Sequence, residues 1–168
     1  MRKPAPNGVQ RVHRNAGRRS KDVTEDDPND LERFVAAQAP VYAQALGELQ
    51  AGRKRSHWMW FVFPQLQGLG HSDMARHFGI ASLDQARAYL RHPVLGPRLV
   101  DCTKAVLAHG DRSLAAIFGA PDDMKFGSSM TLFAHAADGD PSVFRDALAL
   151  FCNGREDQAT LRLLEIAG

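Results

Sequence analysis

The sequence predicts an all-α fold, a compact single domain of about eight short helices. From Asn29 onward, apolar residues recur at intervals of three to four, which is the spacing of one helix face. The strict alternation of apolar and polar residues that marks a half-buried strand is almost absent. The chain has 168 residues, of which 44% are hydrophobic. A chain of this length is expected to form one domain with its own core.

Caps and breakers place the predicted helices of the first half. Asn29 and Glu32 have the spacing of a capping box, so we expect the first helix to begin there. Pro40 is expected to break this helix near Ala39 and to start a second one, which ends at Gly52. Two further short helices are predicted to begin after hydroxyl caps, at Ser72 and Ser82.

The same signals continue through the second half. The run His57–Phe63 is apolar from Trp58 onward and fits either a buried strand or a buried helical turn. Because no second strand is predicted to pair with it, we expect the helical turn. Later helices are predicted to begin at Pro93, Ser113, Pro121 and Pro141, and a last one carries Leu161 and Leu164. They are expected to end at Gly110, Gly119 and Asn153–Gly154.

Positive charge is concentrated at the N-terminus. Residues 1–21 hold seven of the 21 Lys and Arg residues and no acidic residue, which leaves 14 basic against 19 acidic residues, a net charge of −5. We predict a disordered basic tail over residues 1–28 and a helical domain over residues 29–168. A basic tail can contact phosphates, whereas a negative body argues against nucleic-acid binding. We therefore expect that any nucleic acid binds through residues 1–21. The alternative is that this tail is not part of the translated protein, because its start codon has been assigned too far upstream.

The sequence also limits the compartment and the cofactors. Two cysteines, Cys102 and Cys152, are too few for a disulfide framework. No apolar run is longer than the six residues of Trp58–Phe63, which is far short of the ~20 residues that span a bilayer. We therefore expect a soluble, cytoplasmic protein with no membrane partner. His71 and His77 are six residues apart and fall on different helix faces, so we expect neither a metal site nor another cofactor.

The most distinctive segment, Arg53–Gln65, joins three cations and a histidine to an aromatic run. If these cations are partly buried they need an anion, because an unpaired buried charge is costly. One interpretation is a phosphate or carboxylate pocket walled by tryptophan, on which a base or a sugar stacks. The other interpretation is a solvated charge run beside two core tryptophans, since burial alone would explain both indoles.

A second segment, His92–Leu99, contains two prolines and a glycine that stiffen the entry to a helix. Free N–H groups at a helix entry favour an anion, and Arg98 would lie one turn inside. The alternative is simple capping geometry, in which His92 closes the preceding helix.

The third segment is Asp122–Phe133. Lys125 and Ser128 are three residues apart and would touch on a helix, where a lysine can activate a serine as a nucleophile. In the alternative interpretation, Ser128 satisfies a local backbone group and Lys125 pairs with Asp122 or Asp123.

Together these segments resemble the domain of unknown function 1810 family over about Asp30–Leu163. The resemblance is carried by Arg53–Gln65, Gly68–Gly70, His92–Leu99 and Lys125–Phe133. It implies an all-α, monomeric domain in the bacterial cytoplasm, with no assigned activity. Some members carry a calpastatin label, but calpastatin is a long, disordered inhibitor, whereas this chain predicts a compact domain.

The hypothesis we favour is binding of a phosphorylated or nucleotide-like small molecule in a cationic, tryptophan-lined cleft. The expected binding residues are Arg53, Arg55, His57, Trp58, Trp60, Gln65, Arg98, Lys125 and Ser128. Motifs of phosphate loops, zinc proteases and serine hydrolases are absent from the sequence. If chemistry occurs, His57 is the expected acid–base group, with Lys125 as the other candidate.

Two alternatives belong to other functional classes. One is a protein-interaction module that docks a partner through an exposed aromatic patch, Trp58–Phe63. The other is an enzyme that processes ADP-ribose or other NAD derivatives. It is suggested by a similarity to the NADAR domains in the helix around Leu95–Leu99 and at a few aromatic positions.

Overall fold

The computed structural model describes residues 27–167 of the chain. Within that range the fold is all-α, as predicted, and the only strand-like pairing is an isolated bridge between Leu66 and Ile80. The helices are α1 (Glu32–Gln38), α2 (Tyr42–Gln50), α3 (Met59–Val62), α4 (Asp73–His77), α5 (Leu83–Arg91), α6 (Leu95–Leu107), α7 (Leu114–Phe118), α8 (Asp122–Ala136), α9 (Ser142–Cys152) and α10 (Gln158–Ala167). Ten helices are slightly more than the predicted number of about eight, and three of them, α3, α4 and α7, have only four or five residues.

Two regions of interest fall at the edges of this range. The basic tail predicted over residues 1–28 lies outside the described residues except for its last two positions, and so does the nucleic-acid contact predicted for residues 1–21. Between residues 27 and 167, no helix is both long enough and apolar enough to cross a membrane.

Most helix boundaries follow the predicted caps. The hydroxyls of three predicted N-caps each accept a hydrogen bond from the N–H three residues later, at 3.1 Å: Ser72, Ser82 and Ser113. Pro40 separates α1 from α2, and Gly52 follows α2 with a φ of 75°. Asn153 ends α9 in the left-handed conformation that asparagine tolerates well.

The capping box predicted at Asn29 and Glu32 is wrong. A turn at Asp30, whose φ is 51°, brings Asp27 to the start of α1. Asp27 Oδ2 accepts from the Glu32 N–H at 2.7 Å, while the Asn29 carbonyl accepts from Gln85 Nε2 at 2.5 Å. Another carboxylate therefore takes the place that the spacing suggested for Asn29.

Helix α8 is the centre of the core. Helices α5, α7, α9 and α10 pack against it, and every side chain from Ser128 to Ala134 is buried. Thr131 Oγ1 donates to the Gly127 carbonyl and accepts from the Asp157 N–H, both at 2.9 Å. A polar side chain inside the core therefore links α8 to the start of α10.

An aromatic cluster fixes the end of α3 against α7 and α8. The ring centroid of Phe126 lies 5.1 Å from those of both Phe63 and Phe118, and the Trp58 ring lies 6.3 Å from Phe63. Burial of each such ring contributes about 2 kcal/mol or more. Because these rings interlock, the short helix α3 has a fixed position relative to α8.

The entry to α6 is capped by a histidine. His92 Nδ1 accepts hydrogen bonds from the N–H groups of Val94 and Leu95, at 3.1 and 3.2 Å. The N–H groups that the sequence made available to an anion are thus bound within the chain. His92 is also the C-cap residue of α5, as the capping interpretation expects.

Replacing this cap should lower stability. We expect His92→Ala to reduce the free energy of unfolding by about 1 kcal/mol, because two helix-start N–H groups lose their acceptor. His92→Asn, which restores a side-chain acceptor, should recover most of the loss. Urea denaturation of the three proteins measures both effects, and equal stability of the Ala and Asn variants would contradict a capping role.

Candidate functional site

A cavity of about 220 Å³ lies between α3, α4 and the first turns of α8. Its walls are apolar at Met59, Phe63, Leu66 and Phe78. The side chains of Trp60, Gln65, His71 and Lys125 also line it. We call this space the Trp60 cavity.

Close backbone contacts hold the far wall of the Trp60 cavity. The Gln67 N–H donates to the Ile80 carbonyl at 2.7 Å, and the Ile80 N–H donates to the Gln65 carbonyl at 2.8 Å. Two lining glycines allow close contacts at this wall, Gly79 with Gln67 and Gly70 with Ala75. A Cβ on Gly79 would lie 3.0 Å from Gln67 Cα, and one on Gly70 would lie 2.6 Å from the Ala75 methyl.

Lys125 and Trp60 face each other at the polar side of the cavity. The Lys125 ammonium lies 5.1 Å from the centroid of the Trp60 ring, within the range of a cation–π contact. Trp60 is half-buried, so its indole combines an anchored part with an accessible one. The pair brings an aromatic surface and a positive charge to one ring-sized space.

The Lys125 ammonium belongs to an ion-pair network with Asp122 and Lys54. Asp122 Oδ1 lies 3.1 Å from Lys125 Nζ, and Asp122 Oδ2 lies 2.9 Å from Lys54 Nζ. Burial acts to raise the pKa of Asp122, but hydrogen bonds and charge from Lys54 and Lys125 outweigh it and lower that pKa. We call these residues the Lys54–Asp122–Lys125 triad. With two ammonium groups and one carboxylate, the triad carries a net charge of +1.

A half-buried carboxylate, that of Glu48, organises the segment before α3. Glu48 accepts from the Arg55 and Ser56 N–H groups at 2.9 and 3.1 Å, from Ser56 Oγ at 2.5 Å and from Trp58 Nε1 at 2.8 Å. Partial burial acts to raise the pKa of Glu48, but these hydrogen bonds outweigh it and lower the pKa to about 2. The charged form of Glu48 therefore holds residues 53–58 against α2 and fixes the indole of Trp58.

The Trp60 cavity brings together three of the nine binding residues expected from the sequence, namely Trp60, Gln65 and Lys125. Trp58 is buried in the core, and Lys54 lies 5.3 Å over its ring. Arg53, Arg55 and His57 are exposed and do not line the cavity.

Arg98 and Ser128 also lie away from the cavity. The Arg98 guanidinium stacks 4.5 Å from the Tyr42 ring centroid and lies 3.4 Å from Gln38 Oε1. Ser128 Oγ donates to the Met124 carbonyl at 3.2 Å and lines a different groove. Lys125 pairs with Asp122, as the alternative interpretation of that segment expects.

Sequence reasoning missed several lining residues. His71 was considered only as a partner for His77, and Met59 and Phe78 gave no signal beyond their apolar character. Within residues 27–167, His, Cys, Asp and Glu side chains do not cluster in the threes that a metal ion would need.

Comparison with known proteins places the chain in a family. Its structure is similar to the crystal structure of the conserved hypothetical protein Rv1873 from Mycobacterium tuberculosis, with a TM-score of 0.81 and 57% sequence identity. The match covers 83% of this chain and 99% of that one. No protein with a curated description matches the chain significantly. The family model described as "Protein of unknown function (DUF1810)" matches residues 28–164, so the chain belongs to the DUF1810 family.

Proposed function

We propose that this protein binds a small anionic molecule in the Trp60 cavity, with a flat apolar body inside and an acidic group toward Lys125. The observation that carries the proposal is the meeting of an apolar wall, a half-buried indole and an ammonium group in one cavity. Small-molecule sites combine a mostly apolar lining with a few convergent polar groups in this way.

The size of the cavity narrows the ligand. At about 220 Å³, it is smaller than the roughly 300–1,000 Å³ typical of sites for larger ligands. The space suits one ring system. A compound with one ring and one acidic group would therefore insert its ring and keep its acidic group at the Lys125 side.

Binding is better supported than the alternatives from other classes. The segment Trp58–Phe63, expected to expose an aromatic patch, is buried except for Trp60, which leaves little of it for a protein partner. The expected acid–base group His57 does not line the cavity, so the proposal includes no reaction on ADP-ribose or NAD derivatives.

The proposal places this binding in the bacterial cytoplasm, with the protein acting as a monomer. Its mycobacterial relative supports a bacterial source. Cys102 and Cys152 both carry free thiols, which suits a reducing compartment. Burial raises the pKa of both thiols, so neither is primed as a nucleophile.

A nitrogen-15 NMR titration tests the proposal. The chain has two tryptophans, and the indole N–H of Trp58 is bonded to Glu48, so its signal is an internal control. We expect phenylacetate, a ring with one carboxylate, to move the Trp60 indole signal and to leave the Trp58 signal in place. Trp60→Leu should weaken binding about tenfold, measured by calorimetry, because the aromatic contact is lost.

The matched control is Arg53→Gln, which removes an exposed cation outside the cavity. This variant should bind phenylacetate as the parent protein does. If Arg53→Gln weakens binding as much as Trp60→Leu, the anion does not bind in the Trp60 cavity and the proposal is wrong.

A further inference from the structure

We infer that the Trp60 cavity selects ligands with a single negative charge, a ring carboxylate rather than a ring phosphate, and that Lys54 and Asp122 set this selectivity. The inference rests on the proposed function and names its ligand class. Neither Lys54 nor Asp122 lines the cavity, so both act on a ligand through Lys125, Asp122 by its ion pair with the Lys125 ammonium and Lys54 by its ion pair with Asp122.

The carboxylate of the triad makes both of its ion pairs within the triad. Both carboxylate oxygens of Asp122 are engaged, one by Lys54 and one by Lys125. The Lys54 side chain is 9% exposed and the Asp122 side chain is 18% exposed. Because water reaches these groups poorly, their charges act over a longer distance than surface charges do. Lys54 is therefore electrostatically coupled to the cavity through Asp122 and Lys125.

Charge balance then discriminates between anions. One carboxylate beside Lys125 brings the net charge of the ligand and triad together to zero. A phosphate monoester with two negative charges leaves one uncompensated charge next to the apolar wall of Met59, Phe63 and Phe78. An uncompensated charge in an apolar surrounding is costly. A phosphate monoester is therefore the poorer ligand even though it offers more oxygens.

Two single variants change the charge of the triad and a double variant restores it, and neither substituted residue lines the cavity. Lys54→Met keeps an unbranched side chain beside Trp58 and lowers the net charge to zero. Asp122→Asn raises the net charge to +2. The double variant restores +1 and removes both partners of the buried pair, so neither is left as an unpaired charge.

The expected effects are opposite for the two single variants. Lys54→Met should weaken phenylacetate binding about fivefold to tenfold, because the remaining Lys125 charge is cancelled by Asp122. Asp122→Asn should strengthen binding of phenyl phosphate by a similar factor. The double variant should bind phenylacetate within about twofold of the parent protein, because the net charge is the same.

The test compares three probes at pH 8 in the same NMR titration: phenylacetate, phenyl phosphate and the neutral phenylacetamide. The dispersion of the backbone amide signals reports that each variant is folded, because Lys54 lies over the Trp58 ring and its replacement alone moves the Trp58 signal. In the parent protein, we expect phenylacetate to bind more tightly than phenyl phosphate. Affinity for phenylacetamide should not change between the parent protein and the variants.

Two kinds of failure are distinguishable. If none of the three probes moves the Trp60 signal of the parent protein, the proposed function itself fails. If phenylacetate binds but phenyl phosphate binds as tightly or more tightly, the charge inference is overturned while ligand binding stands. The inference is also overturned if Lys54→Met weakens phenylacetamide and phenylacetate equally, because a loss that ignores ligand charge is steric.

Discussion

Gly96→Ala should reduce the free energy of unfolding by about 3 kcal/mol, one of the two largest effects we expect from a single substitution in this chain. Gly96 is buried in the first turn of α6, where a Cβ would lie 2.1 Å from the Leu90 carbonyl oxygen and 2.9 Å from its carbon. Both are backbone atoms of α5, so no rotamer change relieves the clash. The methyl group must push α5 and α6 apart.

Gly47→Ala is the matched control for this prediction. Gly47 lies inside α2, and nothing approaches its would-be Cβ within 4 Å. Alanine should therefore stabilise this helix by about 0.5–1 kcal/mol through the lower entropy of the unfolded chain. Urea denaturation of both variants separates steric from helix-propensity effects. A Gly96→Ala variant within about 1 kcal/mol of the parent protein would contradict the close contact.

Glu48→Gln should lower stability at pH 7 by about 1–2 kcal/mol and change its pH dependence. The folded-state pKa of Glu48 is about 2, against an ordinary value of 4.5. A depressed carboxyl pKa contributes stability that is fully present above pH 4.5 and is lost as the pH falls toward 2. Each pKa unit corresponds to about 1.4 kcal/mol, which sets the upper limit of the effect, and the water that reaches this half-buried carboxylate reduces it. Glutamine cannot supply this pH-dependent part.

Denaturant unfolding at several pH values between 2 and 7 measures this difference. The parent protein should lose stability more steeply below pH 4.5 than Glu48→Gln does. Glu32→Gln serves as the control, because Glu32 is an exposed residue in the first turn of α1. Its effect at pH 7 should stay within about 0.5 kcal/mol. Parallel stability profiles for the parent protein and Glu48→Gln would show that Glu48 does not hold the loop through its charge.

The candidate site shows where sequence reasoning reached its limit. The sequence left open whether the aromatic residues of Arg53–Gln65 wall a pocket or pack in the core, and the structure divides them, because Trp58 is buried while Trp60 lines the cavity. Because α3 has only four residues, helical periodicity does not predict which of these two indoles is buried and which lines the cavity. Their separation follows from the hydrogen bond between Glu48 and Trp58 and from packing against α8.

For the charge run in the same segment, the sequence indicated that a buried cation needs an anion but did not identify the residue that supplies it. Sequence reasoning required an anion for any buried cation among residues 53–55, and the structure supplies Asp122 to Lys54. The chain itself provides the anion that an external ligand was expected to provide. Arg53 and Arg55 remain at the surface, where water solvates them at little cost.

The sequence by itself determined the all-α class, the family resemblance and most of the helix boundaries. Ser72, Ser82 and Ser113 were recognisable as caps because each bond spans only three residues. Such local bonds depend on neighbours that the sequence places side by side.

Only the tertiary structure decided which side chains form the site. Lys54 and Asp122 are 68 residues apart, and Trp60 and Lys125 are 65 apart. Their meeting depends on how the segment from Lys54 to Trp60 lies against the first turn of α8, and no local pattern encodes that arrangement. The closeness of Gly96 to Leu90 has the same origin, since it follows from the angle at which α5 and α6 meet. Local hydrogen bonds allowed the helix boundaries to be predicted from the sequence, whereas packing between distant residues forms the cavity.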